Sequence, residues 1–382
     1  MRTILYDGWP LSYAPNSPGA LHTLTLLEAH PPDFEPMLAL PAPPPEWFSP
    51  RFQTQLLPAA NSSRGRLSWE QRTLPGFARQ TGASLVHLTS SSPALFSPVP
   101  NIISPAGFGS ALGGKESEYH AAGSQDQWDP GQNKSLGERL RQSLSRSAYE
   151  RVQTILWPED IGFMNSMLEP ANLKQLPPIV HPAFLPAQAQ VLGEPIVDSL
   201  PEDYLLYHGP YSLLSAQSLL KAWSWAAGPI GQTYPLALAG VDPILEQPLG
   251  ELLREADLES SVRILPILPP IQLAFLYRRC TALFHPWPLS VWGDPVRHAL
   301  ASGRPVIASK SDRTESLVGP AAYLVTGNDT RGLGGALITV VVEEEMGENL
   351  SQAARARAAG WDMALFQEKL SQVYRELVAM DG

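Results

Sequence analysis
Short apolar runs alternate with stretches of helical periodicity along both halves of the chain. Residues 3–6 read as a buried strand, a loop rich in Gly, Pro, Ser and Asn follows to Gly19, and residues 20–29 have helical character, which makes a first βα unit. Proline punctuates residues 31–50, where a solvated loop is the simpler reading and a strand at 37–40 between irregular connections the alternative. A helix is expected over 69–81 and a buried strand over 84–88, carrying His87 as a core histidine. Residues 107–135 are rich in Gly, Ser, Asp and Gln without periodicity and read as a long loop. Leu136, Leu140, Leu144, Ala148 and Val152 then recur every four residues on an amphipathic helix whose other faces carry Arg139, Arg141, Arg146 and Arg151. Glu138 and Glu150 dilute that charge, so a solvated face is the simpler reading and contact with anionic lipid the alternative.

The second half repeats the alternation. Residues 193–203 form a polar, proline-punctuated connection, after which strands are expected at 204–208, 235–239 and 262–265 and helices near 248–256 and 271–279. The most informative stretch is 281–309. Ala282-Leu283-Phe284 and Pro305-Val306-Ile307-Ala308 are short apolar runs bounded by turn residues, and Pro295 to Ala301 between them has helical character with Gly303 as its stop. Strand, loop, helix and strand make a βαβ unit, and ligands of doubly wound sheets sit at the carboxyl ends of strands. The loop Ser290-Val291-Trp292-Gly293 lies at such an end. Alternating strands and helices in both halves predict two doubly wound α/β domains, 1–192 and 204–360 joined by 193–203, with 361–382 as a terminal helix.

Residues 281–309 resemble the donor-site signature of glycosyltransferase family 4, the group 1 glycosyl transferases of GT-B fold. Trp292, Gly293, Pro295, Ala299, Ala301, Gly303, Pro305, Val306, Ile307, Ala308 and Ser309 fit that signature in register, whereas Ser290 and His298 stand where it has two glutamates. Residues 68–88 are similar to the N-terminal domain of the mannosyltransferase type. The resemblance implies two Rossmann-like domains facing a cleft, the N-terminal one on the acceptor side and the C-terminal one on the donor side, with the last helix crossing back to the first domain. It also implies hexosyl transfer from a nucleotide sugar, such as a UDP- or GDP-hexose, to a glycan or lipid acceptor, without a metal.

The residues that would carry this chemistry are altered. In the family a Gly-Arg, followed by a Lys, supplies two cations to the departing diphosphate; here the loop after the first strand of the second domain has Gly209-Pro210 and then Ser215, with Ser212 between them. Removing one such donor typically costs about 10²–10³ in rate. Candidates for compensation are Lys310, after the strand ending at Ser309, and His208, whereas Lys221 is expected to turn away on the following helix. Asp294 reads as a helix N-cap before Pro295, or else as a ligand for a recruited cation. Where the first family glutamate holds donor-sugar hydroxyls Ser290 offers one weak hydrogen bond, and where the second binds ribose His298 offers one acceptor when neutral. On the acceptor side the family's His-Asp aligns with Ala106 and Gly107, and Gly19 sits where the family lets the acceptor approach. Trp223, Trp225, Trp287 and Trp292 surround the expected cleft loops; two or more could stack a sugar or base, with core packing the simpler reading for Trp223 and Trp225.

Composition narrows the rest. The 382 residues and 44% hydrophobic content allow a sizeable core in each of two domains. A formal charge of −10 argues against nucleic acid as a partner. The single Cys280, expected in the core, rules out an internal disulfide and suits a reducing cytoplasm, at the inner face of the membrane if the lipid reading of the arginine helix holds. No run approaches the ~20 apolar residues of a membrane span. Glu343-Glu344-Glu345 reads as a solvated helix end. Two functions follow: a glycosyltransferase with an altered donor site, or a non-catalytic relative that binds a glycan or partners an active transferase.

Overall fold
The computed structural model describes residues 2–107, 121–122, 127–128, 144, 152–161, 173–186, 200–326 and 329–380. The arginine-bearing face expected on 136–151 and most of the connection at 193–203 lie outside the described residues. The chain divides into two units. Unit 1 comprises Met1–Ile179, Ser290–Gly293 and Trp361–Gly382, and unit 2 comprises Val180–Leu289 and Asp294–Gly360.

In unit 1, β1 (Arg2–Asp7) leads through α1 (Trp9–Tyr13) and α2 (Pro18–Glu28) to β2 (Phe34–Leu40) and β3 (Gln53–Leu56). A continuous helical stretch follows, α3 (Ser63–Ser68), a π turn (Trp69–Thr73) and α4 (Leu74–Thr81), closed by Gly82 with φ +66°. Next come β4 (Leu85–Leu88), β5 (Asn101–Ile103), β6 (Ala121–Ala122), β7 (Gln127–Trp128), β8 (Thr154–Pro158) and β9 (Leu173–Leu176). Seven strands form one sheet in the order β3-β2-β1-β4-β5-β8-β9, all parallel. The short β6 and β7 pair antiparallel, a local ladder inside a stretch expected to be loop throughout. Trp9, Trp69, Leu74, Val86 and Ile155 share one buried cluster on the sheet.

Unit 2 opens with a 3₁₀ turn (Pro182–Phe184) and alternates regularly: β10 (Leu205–Tyr207), α5 (Leu213–Ile230), β11 (Leu236–Val241), α6 (Pro243–Glu255), β12 (Val262–Pro266), α7 (Pro270–Arg279), β13 (Ala282–His285), α8 (Pro295–Ala301), β14 (Val306–Ser309), α9 (Asp312–Val318) and β15 (Ala322–Val325). Helices α10 (Thr330–Val342) and α11 (Glu344–Ala358) complete it, and α12 (Met363–Met380) belongs to unit 1. The sheet order is β12-β11-β10-β13-β14-β15, parallel throughout. Both sheets therefore reverse their direction of winding once, between β1 and β4 in unit 1 and between β10 and β13 in unit 2. Such reversal points are where doubly wound sheets receive ligands. One packing expectation fails: Trp223 is sealed in the core, but Trp225 is 50% exposed and carries the Arg331 guanidinium 5.4 Å from its ring centre. They are two residues apart on α5, so the helix turns them to different faces.

Candidate functional site
The loop after β10 is fixed by its own tyrosines. Tyr207 donates its hydroxyl proton to the Pro210 carbonyl and accepts from Trp287 Nε1 at 2.8 Å, while the Tyr211 hydroxyl donates to the Ala239 carbonyl at 2.7 Å. Ser212 caps α5: the Ser215 amide donates to Ser212 Oγ at 3.0 Å and the Ser212 amide to Ser215 Oγ at 2.8 Å. This reciprocal arrangement satisfies two helix-end donors at once. Ser215 is fully buried and its hydroxyl also reaches the Pro210 carbonyl at 3.1 Å, so it holds the loop rather than facing a ligand. Gly209 is buried beside it.

At the other side of the reversal point, Asp294 caps the seven-residue α8, accepting from the Val296 amide at 2.7 Å, with Pro295 as the first helical residue. The cap reading of Asp294 is the one this geometry supports. His298, one turn further, is sealed from solvent; its ring lies against Phe184 at 4.1 Å between centroids and edge-on to Tyr277 at 5.7 Å. Neither of its nitrogens has a hydrogen-bond partner among the described residues. Burial, with repulsion from His208, His181 and Arg297, pushes its pKa well below the ordinary value. Lys310 is half exposed and pairs with Glu315 at 3.0 Å. Cys280 is buried, and burial raises its thiol pKa to about 12, a core thiol as expected.

The loop after β13 groups with unit 1. Ser290 accepts the Gly107 amide at 2.8 Å and donates to the Trp292 carbonyl at 2.6 Å; the Trp292 amide donates to the Pro105 carbonyl at 3.1 Å. The Trp292 indole is fully buried: Nε1 donates to the Leu156 carbonyl at 3.0 Å, and the ring stacks on His22 at 4.8 Å and meets Phe366 edge-on at 6.0 Å. Trp292 is thus a packing anchor in this conformation, with no open face for a sugar to stack on. Gly293 has φ +66°, and a Cβ there would lie 2.1 Å from the Pro18 carbonyl oxygen. Gly19 is confined to a lesser degree, since its Cβ would meet the Ser90 Cβ at 2.9 Å and the Ala106 carbonyl oxygen at 3.4 Å. Ser290, Val291, Trp292 and Gly293 therefore come together with Gly19, Ala106 and Gly107, and Gly209, Ser212, Ser215, Asp294 and His298 lie in unit 2.

Residues 210–357 match the family model described as "Glycosyl transferases group 1". The chain thus contains a segment similar to group 1 glycosyl transferases. Its fold is the GT-B fold: the sucrose-phosphate synthase of Thermosynechococcus elongatus superposes with a TM-score of 0.68 at 16% identity, each chain covered in full. WaaG, a glycosyltransferase involved in lipopolysaccharide biosynthesis, gives 0.69 at 14% identity over 98% of this chain and 99% of WaaG. HepE of Anabaena in complex with UDP and glucose gives 0.64 at 14% identity over 99% and 100%. Among curated proteins, the O-antigen chain mannosyltransferase B of Escherichia coli is 23% identical over 164 residues, 42% of this chain and 43% of that protein. The D-inositol 3-phosphate glycosyltransferase of Corynebacterium urealyticum is 27% identical over 140 residues, 36% and 33%. The matched stretches thus span less than half of either relative.

Within the matched segment, the two positions expected to be cationic are a proline and a capping serine. Among the described residues, no group of three or more His, Cys, Asp or Glu side chains is arranged to hold a metal ion. Sequence reasoning missed a polar cluster at the reversal point of unit 1. Asp7 ends β1 and accepts from the Trp9 amide at 3.0 Å and Trp69 Nε1 at 2.9 Å; burial raises its pKa, against the pull of Ser91 and Arg66. Arg66 pairs with Glu70 at 3.3 Å, both buried, and donates to the Ser90 carbonyl at 2.6 Å. Trp69 opens the π turn, and the sequence signal for the cluster was the Asp-Gly pair closing the first apolar run.

Proposed function
We propose that the chain works in glycan or glycolipid assembly as a group 1 glycosyltransferase, moving a hexosyl group from a nucleotide sugar such as a UDP- or GDP-hexose to a glycan or lipid-linked acceptor. The observation that carries this reading is the signature itself: β13 flanks the reversal point of the unit 2 sheet and is followed by α8 and β14, inside the matched 210–357, with the glycines and prolines in register. The relatives support it, one named for O-antigen mannosyl transfer and one solved with UDP and glucose. Cytoplasmic action at the inner membrane face belongs to the same proposal. Among the described residues no helix is long and apolar enough to cross a membrane.

One observation favours a second reading, a glycan-binding or partner subunit without transfer activity. Pro210 and Ser215 leave the diphosphate without the family's cations, and Ser215 is tied into the α5 cap. The deciding measurement is calorimetric binding of UDP- and GDP-hexoses together with donor hydrolysis by the purified chain. Binding with hydrolysis establishes the transferase reading, binding without turnover favours the subunit, and no binding of either nucleotide sugar removes the donor site from both.

A further inference from the structure
The missing cations leave a question that the reversal point of unit 2 answers with imidazoles. In the β10/β13 ladder Leu205 pairs with Ala282 and Leu206 with Leu283. Extending that register by two residues sets His208 beside His285, at the carboxyl ends of the two strands that flank the reversal. Side chains at matched positions of neighbouring parallel strands point to the same face. His298 approaches from α8: His208 acts electrostatically on both His285 and His298. Tyr277, from α7, links the group, with its hydroxyl 2.9 Å from His208 Nδ1 and its ring edge-on to His298.

Other groups surround the cluster: Cys280 and Tyr211 act on Tyr277, and the Pro288 backbone hydrogen-bonds His285. The turn at the start of unit 2 brings His181 and Phe184, and α8 brings Arg297 and the capping Asp294, which acts on Tyr277. His181, His208, His285, His298, Arg297 and Asp294 are all largely or wholly buried. Burial and neighbouring histidines keep His285 and His298 neutral, and burial does the same for His181. His298 is the decisive member. It is fully buried with both nitrogens unpartnered among the described residues, and a buried nitrogen in that state calls for a ligand or some other explanation.

We propose that His208, His285 and His298 form an oxyanion site for the phosphate groups of the donor, and that the site becomes cationic only as the anion enters, so that binding takes up protons. The proposal rests on the donor reading of unit 2 and gives its phosphate subsite a chemistry that Pro210 and Ser215 cannot supply. A neutral imidazole donates one N–H, whereas an imidazolium donates two and carries charge. An anion arriving in a dry site raises the proton affinity of the rings around it, which is the reverse of their effect on one another. No bond is made or broken; the proton comes from solvent and returns there when the anion leaves.

The test is calorimetry on the full chain with UDP and with sulfate at about pH 6, 7 and 8, in buffers of different ionisation enthalpy. Sulfate is included because the terminal phosphate of UDP itself titrates, as phosphate monoesters do near about pH 6. The expected result is affinity for both probes rising by up to about tenfold per pH unit as pH falls, with buffer-dependent heats that report about one proton taken up. His298→Asn and His285→Asn should flatten that dependence, while Lys221→Ala, exposed on α5, should leave it intact. Thermal unfolding of each variant checks that it folds, and His298→Phe provides a second replacement matched to its aromatic surroundings. UDP binding that is independent of pH and indifferent to all three histidine variants overturns the histidine site and leaves the donor reading standing. UDP binding at no pH overturns both.

Discussion
His87 in unit 1 and His298 in unit 2 are both sealed from solvent, and both lie edge-on to a tyrosine, yet their nitrogens fare differently. His87 uses both: Nδ1 is 2.6 Å from the Tyr374 hydroxyl and Nε2 is 2.7 Å from Ser104 Oγ. The chain of contacts continues from Tyr374 to the Tyr6 hydroxyl at 3.1 Å and from Tyr6 to His30 Nδ1 at 2.7 Å, so the helix Met363–Met380 is held to the sheet by polar groups that answer one another. His298 has aromatic faces around it and nothing at either nitrogen. Equal burial thus serves architecture in one unit and leaves binding capacity in the other. Polar residues buried in a finished network add to the structure, and those left unfinished mark where a ligand has a reason to go.

The contrast is broken most forcefully at Trp292, whose indole is enclosed by His22, Phe366 and the Leu156 carbonyl. Trp292→Ala should destabilise unit 1 by about 3–5 kcal/mol, the usual cost of emptying a large buried aromatic site. Trp225→Ala removes a half-exposed ring whose main polar contact is Arg331 and should cost about 1 kcal/mol or less. Urea unfolding of the two variants beside the parent gives the comparison directly. A loss below about 1 kcal/mol for Trp292→Ala would mean that the loop is not anchored as described.

Acid should separate satisfied from unsatisfied groups next. Burial lowers the pKa of His87 to about 3 and, with help from His208, that of His285 to about 3; His30 falls to about 4. An unfolded histidine titrates near about 6.5. Between these values the unfolded chain binds protons that the folded chain refuses, so stability is complete above the unfolded value and declines as pH falls toward about 3. His87 alone should account for a loss on the order of 4 kcal/mol across that window. Denaturation midpoints measured from pH 7 to pH 4 should fall steadily, and His87→Gln should make the fall shallower. A midpoint unchanged over that range contradicts the burial of these rings.

Tyr374→Phe tests the network itself. It keeps the ring against Phe34 and deletes the oxygen that meets both His87 and Tyr6. Two buried groups then lose a partner, which should cost about 1–3 kcal/mol. Hydrogen exchange along Met363–Met380 should accelerate with it, and unchanged exchange would show that the apolar face alone docks the helix.

How much of this was legible beforehand depends on what each residue reports. The βαβ unit at 281–309 could be read because both its strands are buried on two faces and so are uninterrupted apolar runs, and because Asp294-Pro295 and Gly303 punctuate the helix. Strand Gln53–Leu56 could not, since it is a mostly exposed edge strand of Gln, Thr, Gln and Leu with no apolar pattern to show. The helix expected to begin near Pro248 begins at Pro243 instead; Asp242 caps it and Pro248 lies inside. At the site, the loss of the family's charges was visible residue by residue. The fate of their replacements was not. Ser215 as a cap needs the geometry of Ser212, the pairing of His208 with His285 needs the order of the sheet, and the isolation of His298 depends on Phe184, more than a hundred residues earlier. Long-range placement, which no local pattern encodes, separates a depleted site from a rebuilt one.

The smallest effect is also the sharpest. If the His298 nitrogens are idle in the unliganded protein, replacing the imidazole by a phenyl ring removes two groups that are buried without partners and keeps an aromatic surface against Phe184 and Tyr277. Burying a polar group without a hydrogen bond is unfavourable, and exchanging it for an apolar group of similar shape is commonly neutral or stabilising. The phenyl ring is slightly larger, and overpacking works against the gain. His298→Phe should therefore leave stability unchanged or raise it by up to about 1 kcal/mol, whereas His87→Phe, which strands Tyr374 and Ser104, should lower it by about 2 kcal/mol or more. Parallel melting curves for the two variants decide the matter. Equal losses at both positions would show that His298 already has a partner in solution, and would erase the distinction between the two units.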